Sequence, residues 1–154
     1  MKRIQKRDFQ QQGITSGGCL GCRIANLLEP EVNVIYETNQ FICILDIAPF
    51  NDGHILILPK HHYFELEEME EELRREILDI SVEMSRLLMK SLKPDGITIC
   101  QNGGIFNDLG HYHMHVIPRY QGDGFSWSEP KEEFKTNRTL KETRELLIAA
   151  QRGQ

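Results

Sequence analysis

Three histidines in strict alternation, His111-Tyr112-His113-Met114-His115, run into Val116-Ile117 and Pro118-Arg119-Tyr120, and constrain this chain more than any other stretch. In an extended strand successive side chains point to opposite faces, so this spacing puts three imidazoles on one face and Tyr112, Met114 and Val116 on the other. Half of the chain's six histidines then line one surface. Imidazole has the unperturbed pKa nearest neutrality, and a row of three suits proton transfer, nucleophilic attack or metal ligation better than packing. An idle solvent face of a strand mixes Thr, Lys and Glu rather than repeating His. Same-face neighbours on one strand lie roughly 7 Å apart, so two of the three can reach one tetrahedral ion but all three do so awkwardly.

The remaining residues narrow the context. With 154 residues, the chain is one domain's worth and long enough for a real core. No run approaches the roughly 18 apolar residues of a membrane span, and the reading is a cytoplasmic protein. Residues 1–18 carry Lys2, Arg3, Lys6 and Arg7 without a following apolar run, so they read as a mobile tail and not a signal peptide. The formal net charge of -5 argues against nucleic acid as a partner and requires any phosphate site to be built from histidines, amides and backbone N–H groups.

The pattern His-φ-His-φ-His-φ-φ, with Tyr112, Met114, Val116 and Ile117 in the φ places, resembles the signature of the histidine triad (HIT) family. The resemblance covers residues 19–120, leaving 121–154 as a C-terminal extension. It implies a homodimer, and a nucleotide hydrolase or transferase that attacks the α-phosphate of an adenosine nucleotide through the middle histidine, His113. His115 is then a donor to the phosphate oxygens.

Four cysteines divide into two kinds. Cys43 and Cys100 sit in apolar runs, where a free thiol behaves as a small hydrophobe. Cys19-Leu20-Gly21-Cys22 has the spacing that lets two thiolates reach one ion or form a redox pair. The family resemblance implies a zinc site completed by His62, of Pro59-Lys60-His61-His62, and by His111. Two Cys and two His make a closed, structural set.

The same resemblance assigns Asp46 to the ribose hydroxyls and His54 to the flank of the sugar and base, with Leu20, Ile24 and Ile44 against the base. Gly21 departs from the larger apolar residue common between the cysteines. In the loop from Gln101 to Gly110, Gly103 and Gly104 let backbone N–H groups converge while Asn102 and Asn107 offer neutral amide donors. The resemblance gives both asparagines phosphate contacts, Asn107 standing where a residue one methylene longer is usual. Asn-Gly equally signals a plain hairpin turn.

Hydrophobic period places the elements. Cys22 to Leu28 reads as a short helix, Val32–Thr38 and Phe41–Asp46 as a hairpin, and His54–Pro59 as a short, nearly all-apolar strand after the turn-rich loop from Ile47 to Gly53. Leu73, Ile77, Ile80, Met84, Leu87 and Leu88 form the stripe of a long helix within 64–93, whose Glu-rich start suits a helix N-terminus. Ile97–Cys100 should pair with the triad strand. Thr139 to Glu142 has capping-box form and opens a terminal helix with Leu140, Leu146, Leu147 and Ala150 available for burial. The expected fold is α+β, an antiparallel sheet with the long helix against it and a helix at the C-terminus. Beside the enzyme reading stand a non-catalytic nucleotide sensor or interaction module and, third, a metallohydrolase with zinc on two triad histidines.

Overall fold

Phe41 to Leu45 and Ile55 to Pro59 are short, nearly all-apolar runs, and they become the central strands of the sheet. The computed structural model describes residues 18–126 and 138–153; the tail expected over residues 1–18, apart from Gly18, and Trp127 lie outside them. The chain divides into two units after Asp123. In the first, α1 (Leu20–Ala25), β1 (Val34–Glu37), β2 (Phe41–Leu45), β3 (Ile55–Pro59), α2 (Glu71–Ser91), β4 (Gly96–Cys100) and β5 (Met114–Arg119) follow in order. The sheet order is β1-β2-β3-β5-β4 with every pair antiparallel, an α+β arrangement as expected. No helix among the described residues is long and apolar enough to cross a membrane.

Alternation along the strands decides what each face holds. Phe41 and Cys43 of β2, Ile55 and Ile57 of β3, and Met114 and Val116 of β5 pack against Ile77, Ile80, Met84 and Leu88 of α2. Each of these buried side chains other than Cys43 contributes roughly 1.5–3 kcal/mol. The intervening residues Ile42, Ile44 and Leu58 face the other way and pack with Ala25 of α1, joined by Ile24, Leu56 and Leu109. Strand register then aligns Ile44 with Leu56 and Leu56 with His115, which places a row of apolar side chains beside a histidine on the face opposite α2.

Four expectations need correction. The strand bearing the histidines starts only at Met114, so His111 and His113 precede it. Continued past Ile57 and Met114, the register would set Leu58 against His113 and then Pro59 against Tyr112, but proline has no N–H to extend the ladder. Its carbonyl meets His111 Nε2 at 2.8 Å, while the Tyr112 N–H donates to the Tyr63 carbonyl at 2.6 Å. The alternation of faces persists nonetheless, with Tyr112 in the α2 core and His111 on the opposite side.

The long helix is shorter than 64–93. Glu65 caps a short 3-10 turn, Leu66–Glu68, and the chain is extended at Met69 and Glu70 before α2 begins. That break lets Met69 enter the core, and only Glu71 and Glu72 remain in the first turn of α2. Helix α1 starts two residues before its expected position because Cys19 Sγ caps it, accepting the Cys22 N–H at 3.4 Å. It ends at Ala25, where Asn26 Nδ2 bonds the Cys22 carbonyl at 2.8 Å and the Lys60 carbonyl at 2.9 Å.

In the second unit α3 (Leu140–Arg152) carries the expected capping box between Thr139 and Glu142. Leu140, Leu146 and Leu147 are exposed rather than buried, since α3 is the sole element among the described residues of its unit.

Candidate functional site

Cys19 and Cys22 lie on the first turn of α1, His62 follows β3, and His111 leads toward β5. Their donor atoms all lie within 4.8 Å of one another. Cys22 Sγ is 3.4 Å from His62 Nδ1 and 3.5 Å from His111 Nδ1, and Cys19 Sγ is 3.6 Å from His111 Nδ1. A tetrahedral ion with ordinary zinc bond lengths separates sulfur from nitrogen by about 3.6 Å, so this donor set fits such an ion. The Pro59 carbonyl takes the His111 Nε2–H, which turns the Nδ1 lone pair toward the sulfurs. Burial drives His111 down to about 4 and so keeps it neutral, the ligating form. Burial first, then the neighbouring Cys19, pushes the Cys22 thiol up to about 12, and a bound cation is what would stabilise its thiolate. Gly21 belongs to this cluster: a Cβ there would stand 2.2 Å from His111 Cβ. Its departure from a larger residue therefore lets α1 pack on His111.

The next two histidines are arranged differently. His113, 4% exposed, donates Nδ1–H to the His111 carbonyl at 2.9 Å, leaving the lone pair on Nε2. His115 stands edge-on to it with ring centroids 4.8 Å apart. Behind His115 lies His54, its Nε2 2.9 Å from His115 Nδ1. The Phe50 N–H reaches His54 Nδ1 at 3.1 Å, so Nδ1 accepts and Nε2 carries the hydrogen. Asp46 Oδ2, at 3.6 Å from the same Nδ1, is too far for a hydrogen bond. His54 therefore donates to His115, and His115 is left with Nε2–H to offer outward. Burial holds both pKa values down, that of His115 to about 4 with His113 and His54 adding to the effect. Both rings are neutral at pH 7. The sequence reading set His54 beside a sugar; the structure buries it against His115, with Asp46 as a near neighbour.

The loop from Ile47 to Gly53 holds Asp46 and His54 together. The Ala48 N–H bonds Asp46 Oδ1 at 2.9 Å, and the Asp46 N–H bonds the His54 carbonyl at 2.9 Å. Asn51 Nδ2 ties the loop to the Pro118 carbonyl and Asp123 Oδ2, and Arg119 grips the same aspartate through Nε at 2.6 Å and Nη2 at 2.9 Å. Gly53 closes the turn at φ +91°, where a Cβ would strike Leu92 at 2.4 Å.

Ile24 and Ile44 meet on the site face with Leu56 and Leu109, an apolar floor beside His115. Leu20, on α1, is half exposed. Leu56 was not singled out from the sequence, although alternation within β3 carries the signal for it.

The segment after His62 laces the loop before the histidines. In addition to the Tyr63 bond, Asn107 Nδ2 donates to the Phe64 carbonyl at 3.1 Å and the Gly104 N–H donates to Glu65 Oε1 at 2.6 Å. Asn107 is buried, and its carbonyl accepts from the Leu109 and Gly110 N–H groups at 3.2 and 3.1 Å. Loop shape is thus its visible task, with one amide hydrogen left for a ligand, while Asn102 is exposed. Of the two glycine amides expected to help cradle a phosphate, that of Gly104 already holds a carboxylate, Glu65. Asp108 also went unnoticed in the sequence, and its Oδ1 lies 3.5 Å from His113 Nε2.

Comparison with known proteins bears on the family and the fold. The family model for the HIT domain matches residues 28–122. An uncharacterized HIT-like protein of Methanocaldococcus jannaschii is 38% identical over 109 residues, covering 69% of this chain and 82% of the relative. The adenosine 5'-monophosphoramidase HNT1 of Saccharomyces cerevisiae is 31% identical over 132 residues, covering 84% of this chain and 80% of the enzyme. Among solved structures, a zinc-bound histidine triad family protein from Mycobacterium smegmatis superposes with a TM-score of 0.67 at 32% identity, covering 88% of this chain and 99% of that one.

Proposed function

The chain belongs to the histidine triad (HIT) family, and from that premise we propose that it is a nucleotide hydrolase or transferase acting at the α-phosphate of adenosine nucleotides through a nucleotidyl-His113 intermediate. The observation that carries this reading is the 2.9 Å bond from His113 Nδ1 to the His111 carbonyl. It fixes the tautomer whose Nε2 lone pair attacks phosphorus.

Attack forms an Nε2–P bond while the bond from phosphorus to the leaving group breaks and its electron pair departs with that group. The resulting nucleotidyl-imidazolium keeps its Nδ1–H on the His111 carbonyl. His115 Nε2–H bonds a non-bridging oxygen as charge develops there, a type of stabilisation often dominant in such sites. Water then attacks phosphorus, its proton passes to solvent, and the P–N electron pair returns to Nε2 with release of AMP. An acceptor other than water makes the reaction a transfer.

The base lies on Ile24, Ile44 and Leu56 with Leu20 at the rim, Asp46 takes the ribose hydroxyls, and Asn102 and the remaining Asn107 hydrogen meet phosphate oxygens. Zinc on Cys19, Cys22, His62 and His111 is structural, since those four donors close its coordination. A second copy of the chain completes a homodimer, and the edge of β4 that no strand among the described residues pairs, where Ile99 is exposed, is its joining surface. The protein acts in the cytoplasm.

AMP release from a panel of nucleoside phosphoramidates, dinucleoside polyphosphates and acyl adenylates tests the activity. At least one class should be turned over by the native chain and none by a folded His113→Ala variant. Binding of AMP without turnover of any class would favour the sensor reading instead.

A further inference from the structure

Asp108 presents its carboxylate at the mouth of the site. Its side chain is 88% exposed, yet Oδ1 stands 3.5 Å from Nε2 of the nearly buried His113, the nitrogen that faces an incoming phosphorus. The charged side chains resolved beside the His54, His115 and His113 rings, Asp46 and Asp108, are both acidic. A third acid, Glu65, holds the Gly104 N–H of the adjoining loop. Two basic side chains near the ends of these strands are engaged elsewhere, Lys60 with Glu37 and the Thr38 carbonyl, Arg119 with Asp123. Among the described residues, the site therefore meets its ligand with negative charge and few cationic counterparts.

That balance bears on the group that leaves. A polyphosphate departing from the α-phosphate brings several negative charges into the space beside Asp108 and gathers more as its bond breaks. An amine has the opposite requirement. Nitrogen leaves phosphorus readily only after gaining a proton, so the reacting form has a cationic P–NH2 linkage to carbon. As His113 Nε2 forms its bond to phosphorus, the P–N electron pair returns to that nitrogen and a neutral amine departs. The positive charge thus passes from the leaving nitrogen to the nucleotidyl-imidazolium, within the field of the same carboxylate throughout.

We propose that Asp108 is a specificity-determining residue that directs this site toward phosphoramidates, whose leaving group is an amine, and away from dinucleoside polyphosphates. The inference rests on the nucleotidyl-His113 reading above and names the substrate class for it. Removing one charge near a partly exposed site changes the interaction with a neighbouring unit charge by roughly tenfold in rate, with opposite sign for the two classes.

The test measures kcat/KM of the full chain for an adenosine 5'-alkylphosphoramidate and for diadenosine tetraphosphate, in native protein and in Asp108→Asn, Asp108→Ser and Asp108→Glu. The native protein should prefer the phosphoramidate. Asn and Ser should each lower that rate and raise the polyphosphate rate, moving the ratio by about 10- to 100-fold, while Glu preserves the preference. High salt should compress the difference between native and Asn proteins. If Asn and Ser change both substrates by the same factor, with the His113 adduct still formed, Asp108 does not select the leaving group and the nucleotidyl-histidine reading stands. If neither native nor variant protein releases AMP from either substrate, that reading fails and the selectivity proposal fails with it.

Discussion

His54 Nε2 stands 2.9 Å from His115 Nδ1, with the Phe50 N–H on the far nitrogen of His54. One backbone amide thereby sets the tautomer of two rings in series, and the outer ring is left with a hydrogen to give. Replacing His54 by Leu should reduce kcat by roughly 10- to 100-fold, because His115 loses the donor that fixes it. His54→Gln, whose side-chain amide can donate from nearly the same position, should recover much of the loss. KM should change little in either variant, and steady-state kinetics with one phosphoramidate substrate checks the split.

Acid should weaken the fold through His115. Its folded pKa is lowered from 6.5 to about 4 by burial and by its histidine neighbours, so between those values the unfolded chain binds a proton that the folded chain refuses. Stability is then level above about pH 6.5 and declines as pH falls toward 4. Urea unfolding across that range should show the decline, and His115→Gln should make it shallower. An unchanged slope in that variant would assign the effect to other groups.

The metal cluster is tied to the reactive loop through one short segment, since Tyr63, Phe64 and Glu65 bond Tyr112, Asn107 and Gly104 directly after His62. Purified protein should carry about one zinc per chain, and Cys22→Ser should lose both metal and thermal stability. Gly21→Ala, which drives a methyl into His111, should weaken metal retention without touching a ligand. Elemental analysis beside thermal melts checks both variants, and stoichiometric metal in a Cys19→Ser/Cys22→Ser protein would rule out this ligand set.

Asp46 keeps Oδ2 available while Oδ1 takes the Ala48 N–H. Asp46→Ala should weaken AMP by about tenfold, the worth of hydrogen bonds to a charged acceptor, and barely alter affinity for a 2',3'-dideoxy analogue. Calorimetric titration with the two ligands distinguishes ribose recognition from a general loss of shape.

Much of this arrangement is legible in the sequence. Strict alternation from His111 to Val116 separates the imidazoles from the core residues, and the apolar runs Phe41–Asp46 and His54–Pro59 are legible as strands, though their two faces emerge only from the packing. The four metal ligands were named by family resemblance on the Cys19-to-Cys22 and Pro59-to-His62 spacings. What escaped depends on contacts between distant segments. The strand start at Met114 reflects Pro59 lying two places further along the register, and the break before α2 reflects the burial of Met69. His54 reads as a strand-edge residue until β3 is set beside β5. Asp108 is an ordinary loop acid until its carboxylate is found beside His113, and nothing local to Asn107 reveals that its carbonyl and one of its amide hydrogens hold its own loop and Phe64.

The central claim is that His113 is the attacking residue, and the nucleotidyl-enzyme is its most direct witness. Native protein mixed with a labelled adenosine phosphoramidate, quenched within milliseconds under mild conditions that spare phosphoramidate bonds, is digested and read by mass spectrometry. The account predicts an AMP-sized adduct on His113 that forms in a burst before steady-state AMP release, and a His113→Ala protein that stays folded, keeps its metal and forms none. Robust turnover by that folded variant, with no adduct in the native protein, would contradict it.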